Sequence, residues 1–132
     1  MVTVRGARGT VRRPPPRIVL KPEDEKALER FVRQAARLYH WCGFHISFSH
    51  GAVTGIHTPG QGDNHQDSDG WPDWVFIKGE RIIYRELKGK GKQPTLDQRR
   101  WGAALIAAGQ DWKVWWPKDE QEIVDTFSRA VT

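Results

Sequence analysis

Three residues have the types and spacing for metal-assisted hydrolysis of a phosphodiester. Glu86 and Lys88 stand two apart in "YRELKGKGK", and Asp73 lies upstream in "GWPDWV". On a strand, side chains alternate faces, so Glu86 and Lys88 share one face and Leu87 takes the other. If the segment holding Asp73 pairs with the segment holding Glu86, Asp73 enters its strand near the level where Glu86 leaves the partner. Two carboxylates and an ammonium then converge at one sheet edge. Close carboxylates repel, and one tends to protonate. A hard divalent cation removes that conflict. Magnesium needs only one or two carboxylates, keeps several waters and leaves room for a phosphate. It can lower the pKa of a ligated water and offset phosphoryl charge. Lys88 can stabilise developing negative charge or orient that water. Alone, a Glu-x-Lys on a strand is ordinary surface decoration, and Pro-Asp is a turn signal. The combination, followed by "GKGK", points to chemistry.

These residues must be positioned by the elements around them. Residues 23–41 carry a helical stripe of Leu28, Phe31, Val32, Ala35, Leu38 and Tyr39, with Glu23, Asp24 and Glu25 at the positive end of the helix dipole. Residues 43–49 alternate as a strand, and residues 50–70 form a long loop rich in Gly, Asp and His. "WVFI" and "RIIYRELK" predict a hairpin turned by "KGE". "PTLDQRRWGAALIAAG" predicts a helix with a Thr95–Gln98 capping box and a stop at Gly109. "DWKVWWP" predicts a strand, and "KDEQEIVDTFSRAV" a last helix with Ile123, Val124, Phe127 and Val131 inward. The class is α/β, in the order α-β-β-β-α-β-α.

The chain of 132 residues, 38% hydrophobic with seven tryptophans, is sized for one domain with a real core. No apolar run approaches the roughly 18 residues of a membrane helix. No apolar h-region marks a secretory signal, and the single cysteine, Cys42, excludes an internal disulfide or a Cys-rich zinc site. A cytoplasmic setting is expected. Residues 1–20 form an arm with Arg5, Arg8, Arg12, Arg13 and Arg17 and no acid. The other 16 basic and 16 acidic residues cancel, so the arm carries the whole net charge of +5. Its Arg, Gly and Pro content predicts an extended segment suited to phosphate contact, with Arg12 and Arg13 central. Residues 21–132 form the domain.

In that order, "GWPDW", "ELK", "LDQRRW" and "AAGQDWKVWWPKD" resemble the VRR-NUC family of PD-(D/E)XK nucleases over about residues 23–127. The resemblance implies a restriction-endonuclease-like mixed β-sheet flanked by helices. It implies phosphodiester hydrolysis dependent on Mg2+ or Mn2+. Asp73 and Glu86 would ligate the metal, joined by the backbone carbonyl of Leu87. Lys88 would be the catalytic lysine, and Gln98 would support the site from the following helix. Superfamily members often place another acid on the first helix. Glu25, nearer the apolar stripe, is favoured over Glu29, which lies further round toward solvent. A histidine at the end of the next strand is also implied, matched by His45, with His50 close behind. Small proteins of this family resemble enzymes that resolve four-way DNA junctions as homodimers, in phage or bacterial replication and repair.

Two rival readings remain: a catalytically silent DNA-binding module with a nuclease fold, and a restriction-type or nicking nuclease. Lys90, Lys92, Arg99 and Arg100 follow the site and suit a phosphate track, though the same residues suit a solvated turn and helix face. His40, His45, His50, His57 and His65 match no zinc spacing. Asp63, Asp67 and Asp69 share the loop with His57 and His65, where a lid or DNA-contacting loop is favoured over a second metal site. Trp101, with Ala104, Leu105 and Ala108, suits the core. Of Trp115 and Trp116, one suits the core and the other a cover, and Trp71 or Trp74 could stack on a nucleobase.

Overall fold

A computed structural model describes residues 24–46, 58–60 and 70–129. The basic arm with Arg12 and Arg13 lies outside these residues, as do His50, His57 and His65.

The first helix, α1, spans Glu25–Leu38. Asp24 caps it, its Oδ1 accepting the Ala27 N–H at 2.7 Å. This satisfies one of the orphan donors of the first turn. The stripe of Leu28, Phe31, Val32 and Ala35 is buried together with Ala27 and Ala36, while Leu38 and Tyr39 are only half-buried. The helix ends in a tight reversal at His40 (φ 63°), which drops Trp41 into the core. There the Trp41 indole N–H donates to the Phe127 carbonyl at 2.9 Å.

Strand β1 is Cys42–His45, β2 is Trp74–Lys78 and β3 is Arg81–Leu87. Helix α2 is Leu96–Ala107, β4 is Asp111–Trp115, a 3-10 turn covers Pro117–Asp119, and α3 is Glu120–Ser128. The four strands lie in the order β1-β2-β3-β4. The first two pairings are antiparallel, and β3 pairs with β4 in parallel across α2. The predicted α/β class and element order stand, as a mixed sheet with three helices.

Helices α1 and α3 close over one face around Leu28, Phe31, Trp74, Ile83, Trp115 and Phe127. Trp115 is the core tryptophan and Trp116 the cover, its indole N–H donating to the Lys92 carbonyl at 2.7 Å.

Several expectations need correction. Of the strand expected over 43–49, the described residues show Cys42–His45 as a strand, all four exposed, and residues 47–49 lie outside the described residues. It is an edge strand, so alternation did not translate into alternating burial. Ala108 is exposed and Trp101 only half-buried, because α2 packs on the sheet mainly at β4 and Trp101 rests against Trp71, ring centroids 4.9 Å apart. Thr126 is buried beside Ile123 and Phe127 in α3, and Val131 lies outside the described residues.

Candidate functional site

The hairpin register brings the two acids together. Trp74 pairs with Arg85, and one step further along the same ladder Asp73 faces Glu86. Opposed side chains of a cross-strand pair lie on one face, within reach of each other. The chain entering β2 is steered by Gly70, whose φ of +91° belongs to the left-handed region. A Cβ there would lie 2.4 Å from the Asp97 carbonyl carbon, so only glycine lets this segment pass against the first turn of α2. Asp73 is further tied by its carbonyl, which accepts the Ile46 N–H at 2.7 Å.

Glu86 is almost wholly buried, 1% exposed. Its Oε2 accepts the Gln98 Nε2–H at 2.9 Å, while its Oε1 is buried without a hydrogen-bond partner among the described residues. Burial pushes the Glu86 carboxyl up to about 9, helped by the neighbouring Asp73 charge and the hydrogen bond to Asp73, and opposed by Lys88. Burial also raises Asp73, opposed by its hydrogen bond with Glu86 and by the charges of His45 and Lys88. Both shifts run toward the protonated form. Leu87 is buried on the opposite face, as alternation requires.

Gln98 is held from both ends. Its Oε1 accepts the Thr95 N–H at 2.8 Å and its own N–H donates to Thr95 Oγ1 at 3.1 Å, completing the predicted capping box. With Oε1 engaged as acceptor, the amide can only present its NH2 to Glu86. The cap of α2 therefore fixes which group meets the carboxylate.

Asp73 and Gln98 border a cleft of about 540 Å³ between the start of α1 and the start of α2, lined also by Glu25, Glu29, His45 and Asp97. Both candidate acids of α1 reach it, but Glu29 is half-buried and Glu25 exposed, the reverse of the sequence expectation. Glu25 is the first residue of the helix and open at its end; Glu29 lies one turn in, against the sheet edge. His45 stacks on Trp74 with ring centroids 4.8 Å apart.

The remaining expected contacts divide. Lys90, Lys92 and Arg99 are exposed and do not line the cleft. Arg100 is ion-paired with Asp97 at 3.3 Å. Trp74 is 6% exposed and sandwiched against His45 and Phe76, so it has no free face for a base. Trp71 packs edge-on against Tyr84 and Trp101. Sequence reading missed Asp97 at the cleft. Its position next to Gln98 in the first turn of a capped helix was the available signal.

The donor set can be tested against a divalent cation. Among the described residues there is no group of three or more His, Cys, Asp or Glu side chains placed to hold a metal ion. The acidic pair must therefore be completed by another oxygen. Carried two steps past Trp74↔Arg85, the register sets Pro72 opposite Leu87. Proline has no N–H, so the Leu87 carbonyl receives no ladder bond from it. Two carboxyl groups with a partnerless buried oxygen, plus a carbonyl opposite a proline, suit a hard cation that keeps most of its waters. The residues fit Mg2+ or Mn2+. Comparisons of this chain with protein-family models, with curated proteins and with solved structures found no match.

Proposed function

We propose that this chain is a Mg2+- or Mn2+-dependent DNA endonuclease of the VRR-NUC type, with a restriction-endonuclease-like core. The observation that carries the reading is the Asp73–Glu86 pair, both raised toward protonation: Asp73 is half-buried and lines an open cleft, and Glu86 lies buried behind it with Oε1 lacking a hydrogen-bond partner among the described residues. In this reading Asp73, Glu86 and the Leu87 carbonyl hold the cation. When bound, the cation supplies an acidified water and offsets charge on the phosphoryl oxygens. The charge of Lys88 favours the ionised forms of both acids, and in this reading its ammonium orients the attacking water or offsets charge on the oxygens of the pentacoordinate transition state. Gln98 holds Glu86 Oε2 in place, leaving Oε1 for the ion. The water would give up a proton to solvent as its oxygen bonds to phosphorus, the ester P–O bond would break, and the leaving alkoxide would take a proton from solvent.

Branched DNA, in particular the four-way junction, is the proposed substrate, cut by a homodimer in phage or bacterial replication and repair. A two-fold dimer sets two equivalent sites against two strands. This step rests on the family resemblance.

The test is a panel of linear duplex, flap, splayed-arm and four-way-junction DNA, with Mg2+ titrated from zero and EDTA as control. Cleavage should require the metal and favour branched DNA. Asp73→Asn should lose cleavage while binding DNA, and Lys88→Ala should lose on the order of a hundredfold in rate. Full activity of Asp73→Asn would remove the assignment. DNA binding by the wild type without cleavage of any substrate in Mg2+ or Mn2+ would favour a silent DNA-binding module.

A further inference from the structure

Next to the acidic cleft lies a second cavity of about 300 Å³, between α1 and β1. Both cavities are bordered by Glu29 and His45, so they adjoin at those two residues. Arg33 and Arg37 form the α1 wall of the second part, and Trp41, Trp74 and Phe76 contribute to its lining. Gly43 of β1 adds no side chain to this floor, and a Cβ there would come 2.5 Å from Phe76 Cδ1.

Charge is sorted along the two cavities. Glu29, Arg33 and Arg37 follow one another at four-residue steps on α1, which places them on one face about 6 Å apart. Glu25, Glu29 and Asp73 crowd one end, and the two guanidinium groups stand at the other. Arg33 and Arg37 are exposed, and among the described residues neither is in an ion pair. The acidic end suits a cation and the basic end an anion. A polyanion matches the two guanidinium groups at the basic end.

We propose that the α1–β1 groove carries the sugar–phosphate backbone of the strand being cut, with Arg33 and Arg37 each contacting a phosphate beyond the scissile one. This rests on the nuclease reading above. The step of one helical turn between the arginines is on the scale of the step between neighbouring phosphates. The groove therefore sets the direction in which the strand leaves the metal end. Guanidinium is suited to this task because its fork of donors matches phosphate oxygens.

The experiment compares Arg33→Ala/Arg37→Ala with its parent, both in an Asp73→Asn background, by fluorescence anisotropy on splayed-arm DNA over a range of KCl concentrations. Binding should weaken roughly tenfold per arginine, as for a lost charge-assisted contact. The log–log salt slope should fall by about 1.4, near 0.7 for each single-strand phosphate released. Arg33→Lys/Arg37→Lys should retain most of the slope. In the presence of Asp73, the double alanine variant should keep the Mg2+-induced rise in melting temperature of the wild type. Unchanged affinity and slope would overturn the groove, as would loss of the Mg2+-induced shift, which would trace the effect to the fold. The nuclease reading fails separately, on wild-type protein that leaves the whole DNA panel uncut; a weakened alanine variant would then keep the groove as a nucleic-acid contact.

Discussion

Glu86 is a carboxyl kept where ionisation is costly. Its ordinary value is 4.5 and the fold pushes it up to about 9, first by burial and then by Asp73. Across that window the folded protein holds a proton that the unfolded chain has released. Stability of the metal-free protein should therefore fall as pH rises from about 5 toward 9. Glu86→Gln removes this titration, so its metal-free melting temperature should be flatter over the window and higher than wild type at the alkaline end. Mg2+ should do in the wild type what protons do at low pH, so its stabilisation should grow with pH, and it should be absent in Glu86→Gln. Thermal melts across pH with and without Mg2+ check this. A metal-free wild type that grows more stable between pH 6 and pH 9 would contradict it.

At the scale of elements, the cap of α2 is part of the site. Thr95 holds Gln98, and Gln98 holds Glu86. Thr95→Ala should cost about 1 kcal/mol of stability and free the Gln98 amide to turn. The Mg2+ concentration at half-maximal thermal shift should then rise, and Thr95→Ser should restore it. A Thr95→Ala protein that loses stability but keeps its Mg2+ midpoint would confine the role to capping. This cap was legible in sequence because its chemistry is local: a hydroxyl, and an amide three residues on. So was the hairpin, whose acids follow from turn length and pairing register. Glu29 was placed too far toward solvent because helical angle alone does not say where the sheet edge will lie. Arg85 was unreadable for the same reason. It sits in β3 between Ile83 and Leu87, 1% exposed. Its guanidinium lies over Trp115, 4.5 Å from the ring centroid, and donates to the Tyr84 and Asp111 carbonyls. Only the parallel neighbour β4 makes that burial tolerable, and sequence does not reveal which strand that neighbour is.

At the scale of the molecule, the site lies where the starts of α1 and α2 meet the end of the β2–β3 hairpin. The order of elements was legible; this meeting point was legible only in outline. Charge is divided on the same scale, since the net +5 of the chain sits on residues 1–20. Deleting those residues should weaken DNA binding and flatten its salt dependence by about 0.7–0.9 for each phosphate they contact, measured by anisotropy across KCl. An unchanged slope would show that the arm does not touch the nucleic acid. The proline opposite Leu87 has its own consequence. A hairpin with any other residue at position 72 could zip shut by one more rung and consume that carbonyl. Pro72 acts as a doorstop: it keeps the sheet from finishing itself where an unfinished sheet is the useful part.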